Sequence, residues 1–392
     1  MTATAMTQTR ERWRMGVEAR ALVLLTAVLV AFGLAVLYSA SAMVAIQANL
    51  SSTHFLTRQL TGLVVGIIAF AVGAKMDAER WNKWAWPLMI ATIGLLVIIV
   101  LPFTTAIAPR INGSRRFLLG GSVQPSEFGK LAVIVWTSML LVKKGDQMRR
   151  LTKGLMPFLL VLAVLDVLVV LEPDLSVAIM YTLVAGIVLF AGGVRIGHFV
   201  VLGIVGIPVL WHEMERLQYV LLRLVTFLDP GSPPSPTKYQ LWQSLIAVGS
   251  GGVVGTGFGN GRQQLGFVPF GYNDFIGANI GEEWGFIGLT MLTLAFAAYA
   301  WLGFRIAKTA RSPFLQLVAV GLTVTVVTTA FLHIGVVVGL LPTTGLTLPF
   351  ISYGRSNLVL SLFMTGMLVN IGSTKERVHG AAATNPLAAP AW

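Results

Sequence analysis

The stretch ALVLLTAVLVAFGLAVLYSASAMVA, residues 21–45, carries no charged side chain from end to end. A helix needs about 20 apolar residues to cross the roughly 30 Å of hydrocarbon in a bilayer, so this run reads as a membrane span. Applied outward along the chain, the same reading gives further spans at roughly 57–75, 84–103, 127–143, 155–171, 175–193, 196–212, 284–305, 314–340 and 352–371. The fifth and sixth are separated only by LEPDLS, which leaves open a re-entrant segment there. Of the 392 residues, 55% are hydrophobic and 11% charged, and the mean hydropathy is +0.78, which excludes the balance of a soluble domain. The expected fold is an all-α polytopic integral membrane protein of about ten transmembrane helices, forming a single domain over 1–392.

Lys and Arg set the orientation, because cationic loops stay on the cytoplasmic side. With the N-terminus inside, the tail with Arg10, Arg12, Arg14 and Arg20, the 75–83 loop, KKGDQMRRLTK, Arg195, the 305–311 loop and the C-terminal tail hold about 18 basic residues, against about 9 outside. Both termini, 1–20 and 372–392, are therefore expected in the cytoplasm. The outer basic residues cluster as Arg110, Arg115 and Arg116 in one loop and Arg216, Arg223, Lys238 and Arg262 in another. The second loop, 213–283, is the long extracytoplasmic one between helices 7 and 8. Its FLDPGSPPSPTKYQ is turn-rich and its GSGGVVGTGFGNG glycine-dense, which suits either an ordered platform approached closely by a ligand or a flexible loop.

The net charge of +12 lies mostly in short juxtamembrane loops, where anionic lipid is the simpler partner and nucleic acid is not expected. With no cysteine, disulfides, thiol catalysis and thiolate metal sites are excluded. Five scattered histidines argue against a histidine metal site. The N-terminal residues lack a cleavable signal pattern, so the first span is expected to serve as an uncleaved anchor. No GxGxxG follows a strand, and no dinucleotide site or other organic cofactor is expected.

Against this background GYNDFIGANIGEEWGFIGL, residues 271–289, places Asp274, Glu282 and Glu283 at the mouth of an apolar run. INGSRRFLLGG (111–121), QPSEFGKLA (124–132), EPDLS (172–176), FLDP (227–230), YQLWQSLIAVGSGG (239–252), the long run 257–288 and GLLPTTGLTLPFISYG (339–354) occur in an order and spacing that resemble the SEDS family, FtsW, RodA and SpoVE, through nearly the whole chain. The resemblance implies polymerisation of the peptidoglycan precursor lipid II, a disaccharide peptide on polyprenyl pyrophosphate. It also implies a catalytic carboxylate in the pair Asp274-Phe275. Asp274 is the expected general base, because a sugar hydroxyl attacks well only as a positioned base removes its proton. The pyrophosphate leaving group needs charge neutralisation, from side-chain cations or a divalent ion such as Mg or Mn. Arg115, Arg116, Lys130 and Arg223 are candidates for that end, with snorkelling to headgroups as the alternative for the arginines. Glu127 lies one turn before Lys130 and can pair with it.

Glu282 and Glu283 have two readings, as acids at a helix N-terminus or as carboxylates that, with Asp274, hold a cation; Asp274 and Glu283 are the candidate metal ligands. Asp166, inside the fifth span, is expected to pair with a basic residue on another helix. PTTGLTLPFISYG is too interrupted by Pro and Gly for plain helix and is expected as irregular backbone shielded from lipid. There Thr343, Thr344, Ser352 and Tyr353 are candidate contacts to sugar or phosphate, joined by Gln240 from YQLWQS, or the segment is a purely structural hairpin. Departures from the family pattern are Arg355 in place of a second glycine after SYG, Phe270 in place of an acid, Ser176 in place of the PDLG glycine, and YVLLR, which leaves Arg223 without its usual neighbouring arginine. PTTGLTLPFISYG resembles FtsW and SpoVE more than RodA. The resemblance therefore implies septal wall synthesis in the bacterial inner membrane, with a class B penicillin-binding protein and other divisome proteins as partners; a RodA-like elongation role is the alternative within the family. A lipid II flippase, which depends on charges through the membrane depth, and a noncatalytic scaffold, which tolerates loss of Asp274, are the rival classes.

Overall fold

Backbone polar groups in hydrocarbon must be satisfied internally, so the apolar runs close into helices. The computed structural model describes residues 9–101, 104, 108–109, 115–118, 121, 123–149, 154–200, 202–204, 206, 218–228 and 236–379. Six of its helices are long and apolar enough to span a membrane: α1 (Val17–Gln47), α2 (His54–Lys75), α3 (Arg80–Val100), α4 (Pro125–Lys144), α9 (Ile276–Lys308) and α10 (Pro313–Val337). Three apolar helices are shorter: α5 (Met156–Leu171), α6 (Leu175–Ala191) and α11 (Arg355–Ile371). The fifth and sixth predicted spans are thus two separate helices joined by a three-residue turn, 172–174. The seventh, 196–212, lies partly outside the described residues; 196–200, 202–204 and 206 are helical. Between it and α9 the long loop folds into α7 (Gln218–Leu228), α8 (Pro236–Gly251) and a one-turn 3-10 helix, Gln263–Leu265, so what is described of that loop is an ordered platform. Arg110, Arg216 and the turn-rich 229–235 lie outside the described residues.

The eighth predicted span begins at 284, whereas α9 begins at Ile276 and breaks at Gly285 (φ 63°, ψ −158°). Only a glycine adopts that backbone readily, and the break leaves a short outer half-helix, 276–284, above the membrane-spanning part. The body is helical as expected. The departure from an all-α chain among the described residues is a tail sheet, in which β1 (Thr9–Met15) pairs antiparallel with β2 (Ser373–His379) in the register Met15↔Ser373. Because α1 and α11 run directly into these strands, the two ends of the bundle lie on one face.

Packing explains which helices line the interior. Most of α4 and α10 is buried within the protein, while α2 leaves a broad apolar face outward, as a lipid-contacting helix does. The pairing of α2 with α11 is close: a Cβ on Gly366 would lie 2.3 Å from the Phe70 carbonyl oxygen, the small-residue contact by which membrane helices approach. The polar residues that α4 buries, Glu127 and Lys130 among them, therefore face protein.

Candidate functional site

Phe275, 1% exposed, is buried with Ala247, Val268, Ala278, Val336 and Val337, and this anchor fixes the residue before it. Asp274 closes a turn in which its N–H and that of Asn273 donate to Phe270 O at 3.0 and 2.9 Å. The turn is braced by the signature segment: Ser352 Oγ donates to Asn273 O at 2.7 Å and Tyr353 N–H to Tyr272 O at 3.1 Å. Gln59 of α2, buried, holds the segment from behind, donating to Ser352 O and accepting from Gly354 N–H, each at 3.1 Å. As expected, 342–354 is irregular backbone enclosed by protein.

Asp274 opens onto a cavity of about 780 Å³ lined by residues from six parts of the chain. Its cations are Arg116, Lys130 of α4, Arg223 of α7 and Arg355 at the start of α11; its anions are Glu127, Asp174 and Asp274. Lys130 Nζ lies 2.7 Å from Glu127 Oε1, with Glu127 7% and Lys130 3% exposed, so the predicted pair forms. Arg116 is strapped to the α5–α6 turn, donating through Nε to Glu172 O at 3.1 Å and through Nη2 to Pro173 O, with Nη1 3.3 Å from Asp174 Oδ2. Arg223 donates to Thr344 O at 3.3 Å. Gly345, left-handed at φ 75°, lies between Arg223 and the base: a Cβ there would sit 4.0 Å from Arg223 Nη2 and 3.9 Å from Asp274 Oδ2.

Burial pushes the Asp274 carboxyl up from its ordinary 3.8 to about 7; Arg223 opposes the rise, the Asp174 carboxylate adds to it, and Arg116 opposes it again. Burial also raises Asp174, against the pull of Arg116. Glu172 rises to about 9, through burial first and the neighbouring Asp174 second. Neither Glu172 carboxyl oxygen has a hydrogen-bond partner among the described residues, as suits a neutral acid.

Of the predicted site residues, Asp274, Arg116, Glu127, Lys130, Arg223, Thr343, Thr344 and Tyr353 line this one cavity. Four do not. Arg115 turns back on its own loop, donating to Ala108 O at 3.3 Å and Leu101 O at 3.1 Å. Gln240 supports the turn from below, donating to Pro269 O at 2.9 Å, and Ser352 is the brace already described. Glu283 accepts from Ser39 of α1, away from the cavity, so Asp274 and Glu283 do not form a metal pair. No set of three His, Cys, Asp or Glu side chains converges as a metal site among the described residues. The carboxylates that share the cavity are Asp274, Asp174 and Glu127; of these Glu127 is closed on Lys130, while a magnesium-type ion needs only one or two carboxylates beside substrate phosphates.

The reading of Glu282 and Glu283 as helix N-terminal acids is also corrected. They lie at the far end of the outer half-helix, and Glu282 accepts the N–H groups of Arg262 at 2.8 Å and Gln263 at 3.1 Å. Asp166 meets no cation among the described residues; Thr182 Oγ1 donates to it at 2.8 Å. The departures from the family pattern have places. Ser176 Oγ donates to Thr344 O at 2.6 Å, tying α6 to the signature, Phe270 is an apolar part of the cavity wall, and Arg355 adds a cation to it.

Asp174 and Gln124 escaped sequence reading. Both line the cavity, and Gln124 Nε2 lies 3.4 Å from Asp174 Oδ2; the paired acids in EPDLS were the available signal. The cavity combines a half-buried carboxyl ionising near neutrality with four cations, and Thr343 Oγ1 on its wall has no hydrogen-bond partner among the described residues. Such a wall suits a phosphorylated substrate and proton removal.

The chain is similar to proteins of known name. Residues 19–377 match the Cell cycle protein family of FtsW, RodA and SpoVE. A probable peptidoglycan glycosyltransferase FtsW of Trichlorobacter lovleyi is 36% identical over 93% of this chain and 95% of its own length, and the stage V sporulation protein E of Bacillus subtilis is 36% identical over 89% and 95%. Among solved structures, a chain of a peptidoglycan synthase complex that coordinates polymerization and crosslinking superposes with a TM-score of 0.73 at 26% identity, covering 90% of this chain and 97% of that one. The rod shape determining protein RodA of Thermus thermophilus gives 0.64 at 25% identity, covering 90% and 95%. With the match spanning nearly the whole chain and a relative 36% identical along its length, the protein belongs to the FtsW/RodA/SpoVE family.

Proposed function

We propose that this chain is a peptidoglycan glycosyltransferase that polymerises lipid II. The observation that carries the reading is the convergence of Asp274, held near neutral pKa, with Arg116, Lys130, Arg223 and Arg355 on one cavity. Ionised Asp274 takes the proton of the acceptor sugar's 4-hydroxyl as the new bond to the donor's anomeric carbon forms and the bond to polyprenyl pyrophosphate breaks. The cations face the charge that develops on the departing pyrophosphate, and Arg116, Lys130 and Arg223 are already oriented by carbonyl and carboxylate contacts, so little reorganisation is needed. A divalent ion on the pyrophosphate would meet Asp274 and Asp174 and supply further charge neutralisation.

The relatives named FtsW and SpoVE support a division-type role, and the likeness to a synthase-complex chain supports a class B penicillin-binding protein as partner. In this reading the protein acts in the bacterial inner membrane at the septum with other divisome proteins. The shared face of β1 and β2 supports an even number of crossings. The nine apolar helices and the described part of 196–206 are compatible with about ten crossings, and the basic loops favour a cytoplasmic place for that face. A flippase reading draws no support from Asp166, which is bonded to Thr182 and does not line the cavity. The test is polymer formation from purified lipid II by the solubilised protein with its partner and a divalent salt. Wild type should make long glycan and Asp274→Asn none; equal product from both would move the base elsewhere.

A further inference from the structure

His333 lies one turn from the end of α10 and is 1% exposed. Its Nδ1 is 2.8 Å from Leu346 O and its Nε2 accepts from Gly277 N–H at 3.3 Å. A carbonyl can only accept and a backbone N–H can only donate, so both contacts form together only with a neutral ring carrying its hydrogen on Nδ1. Gly277 is the second residue of α9, where a helix has no internal acceptor for its N–H, and the N-cap residue Phe275 provides no side-chain cap. The ring therefore caps the outer half-helix from a neighbouring helix. A Cβ at Gly277 would lie 3.2 Å from Val337 Cγ2 and 3.3 Å from Nε2, so the absent side chain admits the contact. At its other side the ring holds Leu346, the neighbour of Gly345, on which Asp274 and Arg223 converge.

We propose that His333 is a positioning residue for the transfer reaction: its neutral ring pins the half-helix that follows Asp274 to the signature segment at Leu346, and so fixes the carboxylate relative to Arg223 and the cavity. The proposal rests on the reading of Asp274 as the base. Packing alone does not require this ring, since leucine fills much of the same space. Leucine leaves a buried N–H without its acceptor and a carbonyl without its donor, whereas glutamine or asparagine can supply one of each.

The experiment compares wild type, Asp274→Asn, His333→Leu, His333→Gln and His333→Asn, each as the full chain with its partner synthase. It measures turnover against lipid II concentration and amide hydrogen exchange of the peptide 275–281. His333→Leu should lower kcat about 10- to 100-fold, the effect of small misplacements at a reacting group, with KM changed by less than about threefold, and should speed exchange in 275–281. At least one amide variant should restore turnover to within about fivefold of wild type and return slow exchange. Wild-type kcat in His333→Leu overturns the proposal, and so does equal impairment of the leucine and both amide variants with slow exchange retained. Where His333→Leu does not fold, the amide variants carry the test: turnover near wild type sustains the hydrogen-bond role and its loss in both overturns it. Wild-type turnover in Asp274→Asn overturns the base assignment, and the positioning role with it; unchanged exchange of 275–281 in His333→Leu likewise overturns the positioning role while leaving the base assignment in place.

Discussion

Replacing Asp274 with asparagine should abolish polymerisation and, at neutral to alkaline pH, make the protein more stable. The carboxyl ionises at about 7 in place against an ordinary 3.8. A raised carboxylate pKa means that the fold favours the neutral acid. That contribution is complete below about pH 4 and is lost as pH rises through about 7, beyond which the native state holds a half-buried charge. At about 1.4 kcal/mol per tenfold in the ionisation constant, holding the charge there costs at most about 4 kcal/mol relative to the unfolded chain, less where cavity water reaches the half-buried carboxyl. The attractions of Arg223 and Arg116 are already contained in that value. Asparagine resembles the neutral acid in shape and charge, so at pH 8 the variant should gain up to about 4 kcal/mol, and at pH 5 less than half of that, about 1.7 kcal/mol. Thermal unfolding of both proteins in one detergent at the two pH values checks this: the midpoint should rise by a few degrees at pH 8 and by less than half as much at pH 5. An equal or lower midpoint at pH 8 in a folded variant would refute the reasoning, since it would mean the ionised carboxylate is well solvated. Polymerisation by the wild type should rise with pH through about 7, as the ionised base accumulates.

Glu127→Gln strands the Lys130 ammonium, now 2.7 Å from its partner, and should cost about 3–5 kcal/mol, most of it recovered when Lys130→Met is added; unfolding midpoints of the single and double variants measure it. Arg355→Gly removes one of the cavity's cations and should raise KM for lipid II about three- to tenfold with the fold intact, given the modest worth of a single cation at a partly exposed wall; unchanged steady-state kinetics would dismiss a substrate contact. Asp166→Asn keeps an acceptor for Thr182 and lies outside the cavity, so polymerisation should stay within about twofold, a result that a transport pathway through Asp166 would not give.

Legibility followed the range of the interactions. Apolar run length is local, and it located the described spans to within a few residues except at α9, where the outer half-helix lengthened the element. The Glu127–Lys130 pair was readable because its partners sit one turn apart on one helix. Contacts made across sequence were not. Glu283 and Asp274 are close in the chain, yet the half-helix carries Glu283 round to Ser39 of α1, and Asp166 found a hydroxyl on the next helix where an intramembrane acid suggested a cation. Ser352 looked like a sugar contact because hydroxyls bind sugars; its use is to hold the Asp274 turn, a role fixed by Leu348 N–H donating to it at 2.9 Å. Asp174 was passed over because its position in a turn is the ordinary place for an N-cap, which it also is, accepting from Val177 N–H at 3.4 Å.

The glycine-dense run shows why the base sits on a rigid support. Breaking α9 at Gly285 leaves carbonyls and N–H groups unpaired on either side, a cost that must be met where the helix enters the protein. Residues 252–257 meet it: Phe286 and Ile287 N–H donate to Gly252 O and Val253 O at 2.9 and 3.1 Å, while Thr256 and Gly257 N–H donate to Glu282 O and Glu283 O at 2.9 and 3.0 Å. A Cβ at Gly255, left-handed at φ 84°, would lie 2.1 Å from Glu283 O, so glycine is required for the strap to approach. The run is therefore neither a ligand cradle nor a free loop. It completes the broken helix, and the Glu282 carboxylate fastens the strap through the N–H groups of Arg262 and Gln263. The half-helix after Asp274 is thus held at its start by His333 and at its finish by the strap. A short helix fixed at both ends keeps its preceding carboxylate in a partly desolvated place where it is costly to ionise, and that cost keeps the pKa near the pH at which a base is most useful. Loosening either end should let water reach Asp274 and drop its pKa towards the ordinary value, so the acid limb of the polymerisation profile should move to lower pH as turnover falls.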